Sequence, residues 1–133
     1  MEIRFPLILD GATGTELQKR GYGGDVSAEQ WTLEHPDVIV DIQRGYVAVG
    51  SQVLYTPTFG ANRQKLEERG IFNRTEEMNK VLALLSKQAA DGKAWVAGDI
   101  APTGRFLAPL GDASFEELVD IYTEQAAGLE QAG

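Results

Sequence analysis

The residues best suited to chemistry stand near the start of the chain, in the segment Asp10-Gly11-Ala12-Thr13-Gly14. The apolar run Leu7-Ile8-Leu9 precedes it and is typical of a buried strand in a parallel sheet. A carboxylate at the end of such a strand lies on the side of an α/β sheet where ligands bind. Because the N–H groups of the turn can receive a carboxylate while Asp10 receives an ammonium, we predict a site for a zwitterion such as an amino acid.

A purely structural interpretation of this segment stays open. Asp10 could instead cap the following helix, with the glycines present because the turn requires them. The segment has neither the G-x-G-x-x-G spacing of a dinucleotide site nor the G-K-[ST] of a phosphate loop. A nucleotide-binding function is therefore not indicated.

A second candidate segment, Thr56-Pro57-Thr58-Phe59-Gly60, follows the second predicted strand. Its hydroxyls and its ring can line a pocket, although Pro57 and Gly60 could equally shape the loop for packing. Asp99 ends the third predicted strand and could orient a ligand. No Ser/His/Asp or Cys/His set can be assembled from this sequence.

The remaining aromatic and imidazole side chains have structural interpretations. His35 is the single histidine and precedes Pro36, which predicts a helix entry and not a metal ligand. Trp31 and Trp95 are predicted to lie in the core.

The elements that must position these residues repeat along the chain. Strands are predicted at 7–9, 51–55 and 94–97, a repeat of about 40 residues that is typical of elaborated βα units. Capping patterns at Ser27, Asn73 with Glu76, and Ser114 predict helix starts, while Gly50 and Gly92 end helices. We predict an α/β domain over 1–133 that is the N-terminal part, about three βα units, of a TIM (β/α)8 barrel cut before its fourth strand.

Composition narrows the possible partners. The net charge of −8 disfavours nucleic acid and anionic membranes, and no apolar stretch approaches the ~20 residues that span a bilayer. The absence of cysteine leaves no disulfide and no thiolate metal site among these 133 residues. Residues 1–6 are too short and polar for a signal peptide, so we expect a cytoplasmic location. Open sheet edges predict self-association.

Three blocks of sequence together resemble the homocysteine S-methyltransferase family, above all the homocysteine-binding barrel of its cobalamin-dependent methionine synthases. The blocks are Leu9–Leu17, Thr56–Arg63 with Lys65-Leu66, and Gly98–Gly104, in the family's order. Two further pieces fit as well, Glu34-His35-Pro36 and Pro109-Leu110-Gly111 with Ser114–Glu117.

The resemblance implies roles for particular residues. Asp10 would contact the amino group of homocysteine, and the amides of Gly11 and Ala12 would bind its carboxylate. Thr58 and Phe59 would line the same pocket. Betaine-using relatives carry a tyrosine directly after that phenylalanine, whereas this chain has Gly60, which favours the cobalamin-linked branch. Thr13 stands where methionine synthases often have methionine, which is a modest departure.

The resemblance also implies parts that these residues do not supply. The family activates the homocysteine thiol on zinc held by three cysteines and uses a glutamate after the fourth strand, and none of these lies within 1–133. We therefore expect a fragment that is inactive alone, from a parent in methionine biosynthesis that takes a methyl group from methylcobalamin. Its expected partners are homocysteine and the cobalamin- and folate-binding domains or chains of the parent.

Two alternatives stay open from the sequence. One is a methyltransferase that uses S-methylmethionine or another thiol acceptor. The other is a non-enzymatic half-barrel that serves as an assembly or small-molecule-binding module.

Overall fold

The computed structural model of the chain describes residue 3 and residues 5–133. Turns and loops separate eight regular elements along the described chain. These are α1 (Gly14–Lys19), α2 (Ala28–Glu34), α3 (Pro36–Ala48), β1 (Val53–Tyr55), α4 (Arg63–Glu68), α5 (Thr75–Ala90), β2 (Trp95–Ala97) and α6 (Phe115–Glu130). No helix among them is both long and apolar enough to cross a membrane.

The sheet is small, parallel and open. β1 pairs with β2 with Val53 opposite Trp95, and Leu9 forms a single parallel bridge to Val53 on the other side of β1. Parallel strands separated by helices place the chain in the α/β class, as predicted. The first predicted strand, at 7–9, was wrong as a regular strand, because this segment contributes only the single bridge.

Side-chain hydrogen bonds explain why the 7–9 segment does not continue as a strand. The N–H of Ile8 donates to the side-chain Oε1 of Gln52 over 3.0 Å and not to a backbone carbonyl of β1. The Ile8 carbonyl accepts from the N–H groups of both Gln52 and Val53. The ladder therefore does not extend to the N-terminal side of the Leu9–Val53 bridge, which is closed on its other side by the Asp10 N–H bonded to the Val53 carbonyl at 2.9 Å.

The core lies between one face of the sheet and helices α3 and α5. Its fully buried members are mostly small or branched, and they are Ile39, Val40, Leu54, Ala89, Ala90 and Ala94. The opposite face of the sheet is uncovered, so Leu9, Tyr55 and Trp95 are 40–45% exposed. The prediction that Trp95 belongs to the core was wrong, because its side chain lies on this uncovered face.

Local capping sets most helix starts. Ser114 and Glu117 form both hydrogen bonds of a capping box at α6, as the sequence predicted. Ser27 accepts a bond from the Gln30 N–H at the start of α2. The predicted cap pair of Asn73 with Glu76 was wrong, since Asn73 has a left-handed φ of 55° and α5 begins two residues later without a side-chain cap.

A groove of about 330 Å³ runs along the free edge of β2, between α5 and α6. Small residues form most of its walls, including Ala83, Ala90, Gly98 and Ala132, and Lys87 is its one titratable side chain. The ammonium of Lys87 donates hydrogen bonds to the carbonyls of Ala132 and Gly133. This groove therefore carries no set of side chains suited to chemistry.

Candidate functional site

Asp10 lies at the carboxyl end of the sheet, where its side chain reaches across to β1. Its Oδ2 accepts a hydrogen bond of 3.1 Å from the backbone N–H of Tyr55. Because its own N–H is bonded to the Val53 carbonyl, both the backbone and the carboxylate of Asp10 are fixed relative to β1. The carboxylate therefore occupies a defined position at the strand ends, as a ligand group requires.

The electrostatics of this edge favour a cationic partner. Burial raises the pKa of the Asp10 carboxyl, hydrogen bonds from backbone N–H groups oppose this, and the negative charge of Asp99 adds to the rise. Burial also raises the pKa of Asp99. Two acidic groups thus lie at the ends of the two segments that flank β1, and a positively charged group bound between them would relieve their repulsion.

The turn after Asp10 is held by Tyr46 of α3. The phenolic hydroxyl donates to the carbonyl of Ala12 over 2.7 Å. The ring covers Gly11 so closely that an added Cβ atom would lie 2.7 Å from the ring carbon Cε1, so a larger residue there would have to displace the ring. Gly11 and Ala12 are exposed residues whose N–H groups donate to no described residue, so these groups could bind an anion.

In the second predicted segment, residues 56–60, one residue has a structural role and its neighbour lies at the site. Thr58 is completely buried, and its hydroxyl donates to the Asp99 carbonyl at 2.8 Å while bonding the Thr56 hydroxyl at 2.6 Å. The Asp99 N–H in turn donates to the Thr56 hydroxyl. Thr58 therefore ties the loop to the end of β2, whereas the neighbouring Phe59 is 59% exposed with the Lys65 ammonium 5.7 Å from its ring centre.

A cavity of about 300 Å³ lies beside these strand ends, under α1 and α2. Apolar and polar groups alternate on its wall, which is formed by Thr13, Gly14, Leu17, Ala28, Glu29, Thr32, Tyr55, Thr56, Pro57, Phe59 and Asp99. Of the five predicted substrate contacts, Phe59 lies on this wall. Asp10, Gly11 and Ala12 form the adjoining turn, and Thr58 lies behind the loop.

Glu29 is a site residue that sequence reasoning missed. It is 8% exposed, and its Oε1 accepts a 2.7 Å hydrogen bond from the N–H of Gly60. In the sequence it is one of the first-turn acids that commonly follow a serine cap, so no local signal separates it from a solvated surface residue. Its contact is made 31 residues away along the chain, and only the fold reveals it.

The described residues contain no group of three or more His, Cys, Asp or Glu side chains placed to hold a metal ion. His35 stacks on Trp31 at 4.2 Å between ring centres, and its Nδ1 lies 3.0 Å from the Trp31 carbonyl. The imidazole thus packs at the junction of α2 and α3, as a helix entry requires.

A parallel α/β scaffold with an acidic turn at its strand ends defines the class of this site, and sequence comparison supplies the family. Residues 7–133 match the model of the Homocysteine S-methyltransferase family, and the chain belongs to that family.

Individual relatives agree with this assignment. The chain is 30% identical over 132 residues to betaine–homocysteine S-methyltransferase 1 of Bos taurus, covering 90% of this chain and 32% of that protein. It is 30% identical over 141 residues to methionine synthase of Mycobacterium tuberculosis, covering 96% of this chain and 12% of that protein. The chain thus spans about a third of the first relative and about an eighth of the second.

The fold has a match among solved structures. The metallated form of the homocysteine methyltransferase MmuM from Escherichia coli superposes with a TM-score of 0.78 at 22% identity. The match covers 96% of this chain and 51% of the MmuM chain. The similarity supports the α/β architecture, including the parallel arrangement of the strands.

Proposed function

We propose that this chain is the N-terminal part of a homocysteine S-methyltransferase barrel and that it binds the amino-acid end of homocysteine. The observation that carries the proposal is the Asp10 carboxylate, fixed at the strand ends beside Asp99 and next to exposed amides. Asp10 would accept hydrogen bonds from the substrate ammonium, while the N–H groups of Gly11 and Ala12 would donate to its carboxylate. Phe59 would cover the aliphatic part.

The reaction of the whole enzyme would move a methyl group to the homocysteine thiol. The family resemblance implies that zinc activates the thiol, but this chain has no cysteine and its described residues form no metal cluster. The residues present do not fit a zinc centre, so we derive no step through a metal. Their part in the reaction is to bind and orient the substrate.

The methyl donor is proposed to be methylcobalamin, carried by another domain or chain of the parent. The support is Gly60, which stands where betaine-using relatives carry a tyrosine. In the structure this position faces the Glu29 carboxylate, which a side chain there would have to displace. A donor that needs an aromatic group at position 60 would therefore find none here.

The substrate clamp can be tested on this chain by ¹H–¹⁵N correlation spectra during titration with reduced L-homocysteine. We expect the amide signals of Gly11, Ala12 and Tyr55 to shift together. The matched ligand 4-sulfanylbutanoate lacks the ammonium, and Asp10→Asn lacks the carboxylate charge. Each should weaken binding about tenfold or more, since a hydrogen bond to a charged group contributes roughly 1.5–3 kcal/mol.

Two results would contradict the proposal. One is that L-homocysteine moves none of the turn amides, and the other is that Asp10→Asn binds it as tightly as the wild-type chain does. Because the chain has no cysteine, mixed disulfides with the ligand cannot imitate binding. The alternative of a non-enzymatic binding module predicts that amino acids without a thiol, such as L-homoserine, bind equally well even to a parent protein supplied with zinc.

A further inference from the structure

A carboxylate occupies the space beside position 60. A Cβ atom added to Gly60 would lie 2.7 Å from Oε1, 3.0 Å from Cδ and 3.0 Å from Oε2 of Glu29. Gly60 does not have the positive φ that by itself favours glycine. The close approach therefore comes from Glu29 and not from the backbone conformation, and a side chain at position 60 would have to displace the Glu29 carboxylate, which couples the two residues.

The loop around Gly60 is also held from the opposite side by buried amides. The Nε2 of Gln125 donates to the Thr58 carbonyl at 3.0 Å, and the Nδ2 of Asn79 donates to the Ala61 carbonyl at 2.7 Å. Both amide side chains are fully buried. Hydrogen bonds at such depth are costly to break, because each lost partner leaves a polar group unpaired.

Glu29 completes this arrangement from a third helix. The carbonyls of residues 58 and 61 are bound from α6 and α5, and the intervening Gly60 N–H is bound from α2. Phe59 lies between these three attachments and is the one side chain of the loop that is largely exposed at the cavity. Its backbone has little freedom to move while all three bonds are intact.

We propose that Glu29 is a positioning residue that fixes Phe59 at the wall of the cavity, and that the Glu29–Gly60 pair determines specificity by keeping side chains out of position 60. The pair makes this part of the cavity wall acidic, with Asp99 as the second carboxylate. A ligand should therefore present a neutral or cationic group here and not an anionic one. The substrate aspect of this inference rests on the proposed binding of homocysteine.

The coupling is tested by a double-mutant cycle in thermal unfolding. Gly60→Ala should lower the Tm of the wild-type chain clearly, and should have little effect or a small stabilising effect in a Glu29→Ala background. Gly14→Ala is the matched control, because Gly14 lines the same cavity but a Cβ there meets no atom within 4 Å. An equal Gly60→Ala effect in both backgrounds would overturn the coupling.

The positioning role is tested by amide hydrogen exchange and by ligand titration. Exchange at Gly60 should accelerate at least tenfold in Glu29→Ala and much less in Glu29→Gln, which keeps an acceptor oxygen. L-Homocysteine should bind at least fivefold more weakly to Glu29→Ala and within about twofold of wild type to Glu29→Gln.

The outcomes separate the two proposals. A wild-type chain that binds no homocysteine refutes the proposed function, while the exchange rate and the mutant cycle still decide the role of Glu29. Unchanged exchange at Gly60 in Glu29→Ala refutes the positioning role, whatever the titration shows.

Discussion

Replacing Gly128 by alanine should destabilise the fold, because α6 contacts α5 at this residue without space for a side chain. An added Cβ atom would lie 2.6 Å from the carbonyl oxygen of Glu76 and 2.9 Å from Cβ of Asn79. Carbon atoms normally approach to about 3.5–4.0 Å, so the helices would have to separate appreciably. Overpacking of this kind costs about 1–3 kcal/mol, and the better helix propensity of alanine offsets about 0.5–1 kcal/mol of it.

The net loss is then about 1–2 kcal/mol. With an unfolding entropy of about 2.1 cal/mol/K per residue, a chain of 133 residues loses about 4 °C in Tm per kcal/mol. We expect calorimetry to show a Tm about 4–7 °C lower for Gly128→Ala. In the matched control Gly45→Ala, inside α3, the new Cβ meets no atom within 4 Å, and the Tm should rise by about 2–4 °C. A Gly128→Ala chain as stable as wild type would refute the close packing.

Changes at three further positions test the turn, the cap of α6 and the Asp10 carboxyl, each measured as an unfolding free energy in urea. Tyr46→Phe removes the hydroxyl bonded to Ala12 and should cost about 0.5–1.5 kcal/mol, so no change would mean that this bond does not stabilise the turn. Ser114→Ala removes the capping box of α6 and should cost about 1 kcal/mol, whereas Ser114→Asp should retain most of it. Burial raises the pKa of Asp10 in the folded state. The contribution of this group to the free energy of unfolding is therefore fully present below the ordinary aspartate pKa and is lost as pH rises through the raised pKa of the folded state. In Asp10→Asn the free energy of unfolding should fall less steeply with pH over this range. The same slope in the variant as in the wild-type chain would contradict the pKa shift.

The local parts of the fold could be predicted because their signals are local. A serine followed three residues later by glutamate places both capping partners within one turn, and α6 begins where this pattern predicts. Gly50 and Gly92 end helices with positive φ, as expected of glycine. Asn73 fails as a cap for a physical reason of the same kind, since asparagine also tolerates the left-handed conformation that it adopts here.

The strands were harder to predict, because their extent depends on their neighbours. The spacing of the 7–9 segment indicates a strand, but the Gln52 side chain takes the hydrogen bond that would have extended the ladder. The apolar character of Trp95 indicates burial, yet nothing among the described residues covers that face of the sheet. Sequence pattern identifies which residues suit a core, whereas burial requires the partner surface to be present.

The candidate site also contains residues that the sequence could predict and residues that it could not. Asp10, Gly11 and Ala12 are adjacent in the sequence, so their assembly into one turn needed no tertiary information. Thr58 has a side chain suited to a pocket, but its hydroxyl donates to the carbonyl of Asp99 instead of facing the cavity. Glu29 became part of the site through a contact that the sequence does not indicate.

Recognition and activation of the substrate are therefore separable in the proposed enzyme. Every hydrogen bond that fixes Asp10, its turn and the Phe59 loop comes from the described residues of this chain. The proposed amino-acid clamp is consequently preorganised without the residues that would activate the thiol. In the whole enzyme, changes at Asp10 or Glu29 should act mainly on KM for homocysteine, because these residues contact or position the end of the substrate that does not react.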